Sequence, residues 1–231
     1  MKPVLMFLSI VTAIMLVVSG AKANVDSVWV RSCPASGTSF DEPSSIVRDQ
    51  KGDISIAGYI TTPAGNTDLV VSEYSNDGEH LWTETFNGSG NFHDVGTAIA
   101  SDPRGCVYVT GWSYNPGIDF ITLCYDSSGT RLWASGRDCG MSERASDIVV
   151  DENRNSIITG TSTGSSINAN IWIIKYDSLG QEQWARMYPS PGIGYDSAAA
   201  LALDHEGNIY VAGGCYRSSG IDFAVLKYDS V

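Results

Sequence analysis

Beyond its first twenty-odd residues, the chain alternates short runs of β-branched and aromatic residues with polar turn sequences, and no helical pattern recurs. The clearest stretch predicts four strands, Thr97 to Ser101, Val107 to Trp112, Phe120 to Tyr125 and Arg131 to Ser135. Between the first two lies Asp102-Pro103-Arg104-Gly105, where the aspartate can accept backbone N–H groups ahead of it and the glycine supplies a positive φ. Its counterparts elsewhere are Asp49 to Gly52, Asp151 to Arg154 and Asp204 to Gly207. A second turn, Asp126-Ser127-Ser128-Gly129, recurs as Asn76-Asp77-Gly78 and Asp177 to Gly180 and reads as a hairpin.

These elements repeat with a period near 51 residues. Gly58, Gly111, Gly160 and Gly213 mark it, as do Tyr74, Tyr125, Tyr176 and Tyr228, and Trp29, Trp82, Trp133 and Trp184. A repeat of this length built from four short strands predicts an all-β fold, a four-bladed β-propeller of four-stranded antiparallel blades over residues 24–231. The phase is offset. The chain opens with a lone Trp-type fourth strand, Val28 to Cys33, and its last repeat stops before that strand, so the N-terminal strand is expected to complete the last blade and close a monomeric ring. The alternative is a homodimer forming an eight-bladed ring. The repeat tyrosines and tryptophans are read as packing between blades.

The strings Asp222-Phe223-Ala224-Val225-Leu226-Lys227-Tyr228-Asp229 and Asp204 to Gly213, echoed at Asp119 to Asp126 and Asn170 to Asp177, resemble the SBBP-type β-propeller repeat family. The resemblance covers essentially all of residues 24–231 and implies an exported or cell-surface propeller. A weaker similarity is to the quinoprotein dehydrogenase repeat, which also places a Gly-turn before a blade-ending Trp.

Composition narrows the function classes. The chain carries 26 acidic against 14 basic residues, a net charge of −12, which argues against binding nucleic acid through its phosphates. Residues 1–23 read as a secretory signal peptide: Lys2, an apolar stretch from Val4 to Val18, and Ala21-Lys22-Ala23 before the cleavage point, with no cysteine there for a lipid anchor. The mature protein is therefore expected to be secreted, periplasmic or cell-surface, and not embedded in a membrane once the signal is removed.

Candidate chemistry falls on one edge of the blades. The aromatic residues Tyr59, Trp112, Tyr114, Tyr216, Phe40, Phe92 and Tyr195 lie in loops that antiparallel strands return to a common face, which would suit a protein, peptide or glycan partner. Asp41, Asp94, Glu143 and Asp196 each stand five residues before the Ile or Leu of an innermost strand, and as a ring at the channel mouth they would suit Ca²⁺ or another hard cation. The competing reading is that each bonds backbone N–H groups where its strand begins. Five cysteines suggest two bridges, Cys106 with Cys124 and Cys33 with Cys215, leaving Cys139 free. No nucleophile elbow or metal-binding histidine motif occurs, and of three histidines only His93 nears the channel mouth. The preferred expectation is thus a non-catalytic binding module. The alternative is an extracellular hydrolase or lyase acting on a polysaccharide through channel-mouth carboxylates.

Overall fold

The computed structural model describes residues 28–31, 40–140, 142–164, 168–188, 194–217 and 220–229; residues 1–23, read above as a signal, and Cys33 lie outside them. The described residues form fifteen strands and no helix. In chain order these are β1 (Glu42–Arg48), β2 (Ile54–Thr61), β3 (Thr67–Tyr74), β4 (His80–Phe86), β5 (Asp94–Ser101), β6 (Val107–Tyr114), β7 (Ile118–Tyr125), β8 (Arg131–Arg137), β9 (Ser142–Val150), β10 (Ser156–Thr163), β11 (Ala169–Tyr176), β12 (Glu182–Tyr188), β13 (Ser197–Leu203), β14 (Ile209–Arg217) and β15 (Gly220–Tyr228). Consecutive strands pair antiparallel in the groups β1–β4, β5–β8, β9–β12 and β13–β15. One parallel pair, Ile118 with Ser142, ties the second group to the third. The architecture is all-β and propeller-like, as the repeat implied. The N-terminal strand differs from expectation: residues 28–31 form no strand, and among the described residues the last sheet ends at β15. Arg31 is held at the first sheet instead, its Nε donating to the carbonyl of Gly78 in the β3–β4 turn at 2.7 Å.

The repeat glycine has a steric cause. Each innermost strand, β1, β5, β9 and β13, bulges opposite its partner, with the pairing register shifting at Pro43/Ser45, Gly96/Ala98, Thr159/Gly160 and Ala198/Ala200. At the bulge the carbonyl of the innermost strand turns toward the second strand. A Cβ on Gly58, Gly111, Gly160 or Gly213 would lie 2.1, 1.8, 2.5 or 2.3 Å from that oxygen, inside any allowed contact. Glycine is therefore required where the blade curves.

Stability comes from stacking one sheet on the next. Ala57, Leu69, Val71 and Trp82 of the first pack against Ile99, Val109 and Leu123 of the second. Phe120 and Tyr108 of the second meet Ile148, Ile158 and Ile174 of the third. Ile157, Ile171 and Ile173 of the third meet Leu201, Ile209 and Val211 of the fourth. The repeat aromatics serve these junctions as expected, Trp82 stacking on Tyr125 with centroids 5.9 Å apart and Trp133 lying tilted against Tyr176 at 6.4 Å. Hydrogen bonds cross between innermost strands: Thr97 Oγ1 donates to Ala145 O at 2.8 Å, and Ser146 Oγ to Ala198 O at 2.9 Å.

The turn aspartates act as the sequence implied. Asp102 Oδ1 accepts the N–H groups of Arg104 and Cys106 at 2.8 and 3.0 Å, and Asp49, Asp151 and Asp204 bond their own turns in the same way. Arg154 takes the place of the turn glycine at φ 66°, a region costly for a side chain. Its guanidinium reaches back one sheet, Nε donating to Asp102 Oδ2 at 2.8 Å, so a bond between sheets offsets the local strain.

The cysteine expectation is corrected. Cys106 and Cys124 are buried free thiols, and no disulfide occurs among the described residues. The register pairs Tyr108 with Cys124, which leaves Cys106 on the diagonal. Diagonal Cβ atoms lie roughly 7 Å apart, against the roughly 4 Å that a disulfide needs. Burial pushes the Cys124 thiol up to about 12. Cys215 and Cys139 are free thiols as well.

Two outcomes follow from this framework. Gly111→Ala must force the β5 bulge apart, and urea unfolding should show a loss of about 3 kcal/mol. Glu73 occupies the position held by Lys175 and Lys227 in later repeats, and burial, followed by the charges of Asp53 and Asp49, raises it from 4.5 to about 7. A raised carboxyl stabilises the fold fully below its unfolded value and loses that contribution as pH rises through its folded one. Glu73→Gln should therefore gain about 1–2 kcal/mol over the native chain at pH 8 and nothing at pH 4, read by thermal melts at both.

Candidate functional site

Because the strands are antiparallel, the segments entering β1, β5, β9 and β13 share an edge with the β2–β3, β6–β7, β10–β11 and β14–β15 connections. All seven aromatic candidates stand on it, but few are free to receive a flat ligand. Tyr59 donates its hydroxyl to Glu42 Oε2 at 2.9 Å, Phe92 meets Tyr114 edge-on at 5.0 Å, and the Arg144 guanidinium covers the Trp112 ring at 4.5 Å. Tyr216 lies so close over Gly194 that a Cβ there would fall 2.1 Å from the ring. Phe40 and Tyr195 remain exposed.

The four acidic candidates occupy equivalent places at the starts of their blades but do not form one ligand set. Asp41 Oδ1 accepts Thr61 N–H at 2.9 Å, Asp94 Oδ2 accepts Gly88 N–H at 2.8 Å, and Asp196 Oδ1 accepts Tyr216 N–H at 2.8 Å. Three of the four thus hold backbone beside their own strand start, at the end of β2, in the β4–β5 loop and near the end of β14, while Glu143 Oε1 accepts the Ser162 hydroxyl at 2.7 Å. The expected ring of four is corrected to a local cluster. Among the described residues, Glu143 comes together with Asp119 of β7 and Asp138 of the β8–β9 loop, their oxygens within 4.8 Å of one another. Three carboxylates at that separation could hold a hard cation such as Ca²⁺, with water completing the shell.

Asp119 and Asp138 escaped the sequence reading. Asp119 carries a signal in hindsight, because the residue six before each repeat tyrosine is Asp68, Asp119, Asn170 or Asp222. Asp138 follows no repeat. The first junction holds a smaller version, in which Asp68 is raised by burial and then by the charge of Asp94, and one oxygen of each is buried without a hydrogen bond.

The cluster is graded from wet to dry. Asp138 is exposed, Asp119 half-buried and Glu143 fully buried. Burial raises Glu143 most; the Ser162 hydroxyl and the Cys139 amide oppose this, and the negative charges of Asp138 and Asp119 add to it. Asp119 is raised by burial first and by Asp138 second. Glu143 Oε2 is buried without a hydrogen bond. Two arginine–aromatic stacks flank the acids in sequence, Arg144 on Trp112 and Arg137 on Trp172, and Arg137 also pairs with Glu182. His93 lies apart from the cluster, its Nδ1 3.3 Å from Thr67 Oγ1.

A cavity of about 370 Å³ opens elsewhere, between the β9–β10 and β13–β14 turns. It lies at the far end of β9 from Glu143, eight residues or roughly 26 Å along the strand. Asp204 on its wall is held down to about 2, chiefly by the Asn208 side chain, and such an acid stays ionised instead of exchanging protons.

No family model matches the chain, and no curated protein matches it. Solved structures similar to it include a gluconolactonase from Xanthomonas campestris, 14% identical, with a TM-score of 0.44 over 80% of this chain and 57% of that one. Another is an endo-arabinase from Bacteroides thetaiotaomicron, 13% identical, with a TM-score of 0.49 over 82% and 74%. A putative exo-beta-1,3-galactanase from Bifidobacterium bifidum is 13% identical, with a TM-score of 0.48 over 83% and 68%. This chain thus spans between about half and three quarters of their lengths, and the likeness is one of fold. The expectation of a non-catalytic binding module is corrected here. The loop edge of this chain shows graded carboxylates where a binding module needs a flat aromatic platform.

Removing the outermost charge tests the electrostatics. Raised carboxyls withdraw stability as pH rises, and Asp138→Asn should lower Asp119 and Glu143 toward ordinary values. The fall in melting temperature between pH 5 and pH 8 should shrink by about 2 °C relative to the native chain.

Proposed function

We propose that the protein is an exported, propeller-type hydrolase that cleaves a polysaccharide, with Asp119, Asp138 and Glu143 as its carboxylate machinery. One observation carries the proposal: three carboxylates with oxygens within 4.8 Å occupy unequal environments on a loop edge. Glycoside cleavage needs that inequality, because one carboxyl must give a proton to the leaving oxygen while another is ionised. Glu143, dry and raised by burial, is assigned the acid. Asp138, exposed at the outer end, is assigned the partner carboxylate, and Asp119 completes the set. Exposed rings on the same edge, Phe40 and Tyr195, give sugar faces an apolar surface. Export rests on the signal read in residues 1–23, and the SBBP-type resemblance belongs to the same proposal.

The test is release of reducing ends from a panel of plant and microbial polysaccharides by the mature chain. Glu143→Gln should lower kcat at least about 100-fold with little change in melting temperature. Activity in the native chain should fall as pH rises through the Glu143 value, because the acid form is the active one. Absence of turnover on every polymer in the panel, or equal activity in Glu143→Gln, would overturn the reading.

A further inference from the structure

The three junctions between successive sheets are built alike, and the same two surfaces stand uncovered at the ends of the series. On the forward side of each sheet, Leu69, Phe120 and Ile171 are no more than 1% exposed, because the next sheet covers them. Their counterpart in the last sheet, Phe223, is fully exposed, and Val225, the counterpart of the buried Val71 and Ile173, is 73% exposed. On the backward side, Ile99, Ile148 and Leu201 are 3–9% exposed, while their counterpart Ile46 in the first sheet is 66% exposed. Each bare surface therefore has its complement on this chain. The innermost strands pack in the order β1, β5, β9, β13, and β13 makes no comparable contact with β1.

A second observation marks where the missing neighbour belongs. Ser135, two residues after the repeat tryptophan of β8, donates to Gly180 O in the hairpin turn of the following sheet. Arg31, two residues after Trp29, makes the corresponding bond to Gly78 O in the hairpin turn of the first sheet. Arg31 thus holds the station that the outermost strand of a preceding sheet would occupy, and among the described residues no strand pairs with the far edge of β15.

We infer that a second copy of this chain supplies both neighbours. In this arrangement two copies join head to tail, Phe223 and Val225 of each packing on Ile46 of the other. The argument for a second copy over self-closure is that three identical packing steps leave the fourth sheet apart from the first; the same step continued through another chain uses the surface pair repeated inside the molecule. A head-to-tail contact gives a ring when its rotation closes and a filament when it does not. The inferred assembly is the closed ring of eight sheets.

Light scattering of the purified mature chain at micromolar concentration should give the mass of two chains. At the internal junctions Val71 shares a cluster with Ile99, and Ile173 with Leu201, so Val225 and Ile46 should face each other between copies. Ile46→Lys and Val225→Glu should each give the mass of one chain. An equimolar mixture of the two should recover the mass of two, since one junction is then unaltered and the other pairs Lys with Glu. A native mass of one chain across the concentration range, or of an open-ended series, overturns the inference, as does a mixture that stays at one. Should both variants lose their β-sheet circular dichroism, the native mass alone decides.

Discussion

A sheet of four short strands has two faces, and in this protein neither can be left to water. The repeated solution is to cover the forward face of each sheet with the backward face of the next, so no sheet has a core of its own. Every other feature is subordinate to that requirement. The innermost strands bulge to bring neighbouring sheets into contact, the bulge carbonyl forces glycine at one position per repeat, and tryptophan closes the outer rim over the following hairpin. Cooperativity is then between neighbours, as in other repeat folds, and within a single copy the end sheets are the weakest members because each lacks one contact.

The repeat was legible because its markers answer to that packing. Glycine, tyrosine and tryptophan recur since a steric bulge, an inter-sheet wedge and a rim must recur, and the turn aspartates since each turn needs the same backbone acceptor. Strand beginnings at the loop edge were read short by about three residues: β5 starts at Asp94, whereas the apolar run suggested Thr97. Glycine and acidic residues there obscure a strand that tertiary pairing nonetheless imposes. The cysteine pair shows the limit more sharply. Both cysteines replace polar residues in one repeat, yet a shift of two residues in register, invisible in sequence spacing, separates bridge from diagonal.

The acidic cluster was only half legible for a related reason. Glu143 was found because an acid stands at its position in every repeat, and Asp138 could not be, because it sits in a loop that no other repeat copies. Positions that serve the scaffold are periodic. Those that serve chemistry need occur only once, and a search tuned to period passes over them.

The two edges of the sheets use the same side chain in opposite ways. At the turn edge, Asp102 and Asp204 sit among donors, the former with the Arg154 guanidinium and two backbone amides, and both are held low and permanently charged. At the loop edge, Asp68, Asp119 and Glu143 are raised first by burial and then by neighbouring acids, Asp94 beside Asp68, Asp138 beside Asp119, and both Asp138 and Asp119 beside Glu143, with buried oxygens on Asp68 and Glu143 lacking donors. A carboxylate rich in donors contributes rigidity and nothing else, since its proton is out of reach at neutral pH. One short of donors costs stability and keeps its proton exchangeable. Glu73, raised at the turn edge, departs from this division because it faces Asp49 and Asp53 where Lys175 in a later repeat faces Asp151 at 3.3 Å. With that one exception, the destabilising acids are collected at a single edge, and it is the edge from which variable loops rather than fixed turns project.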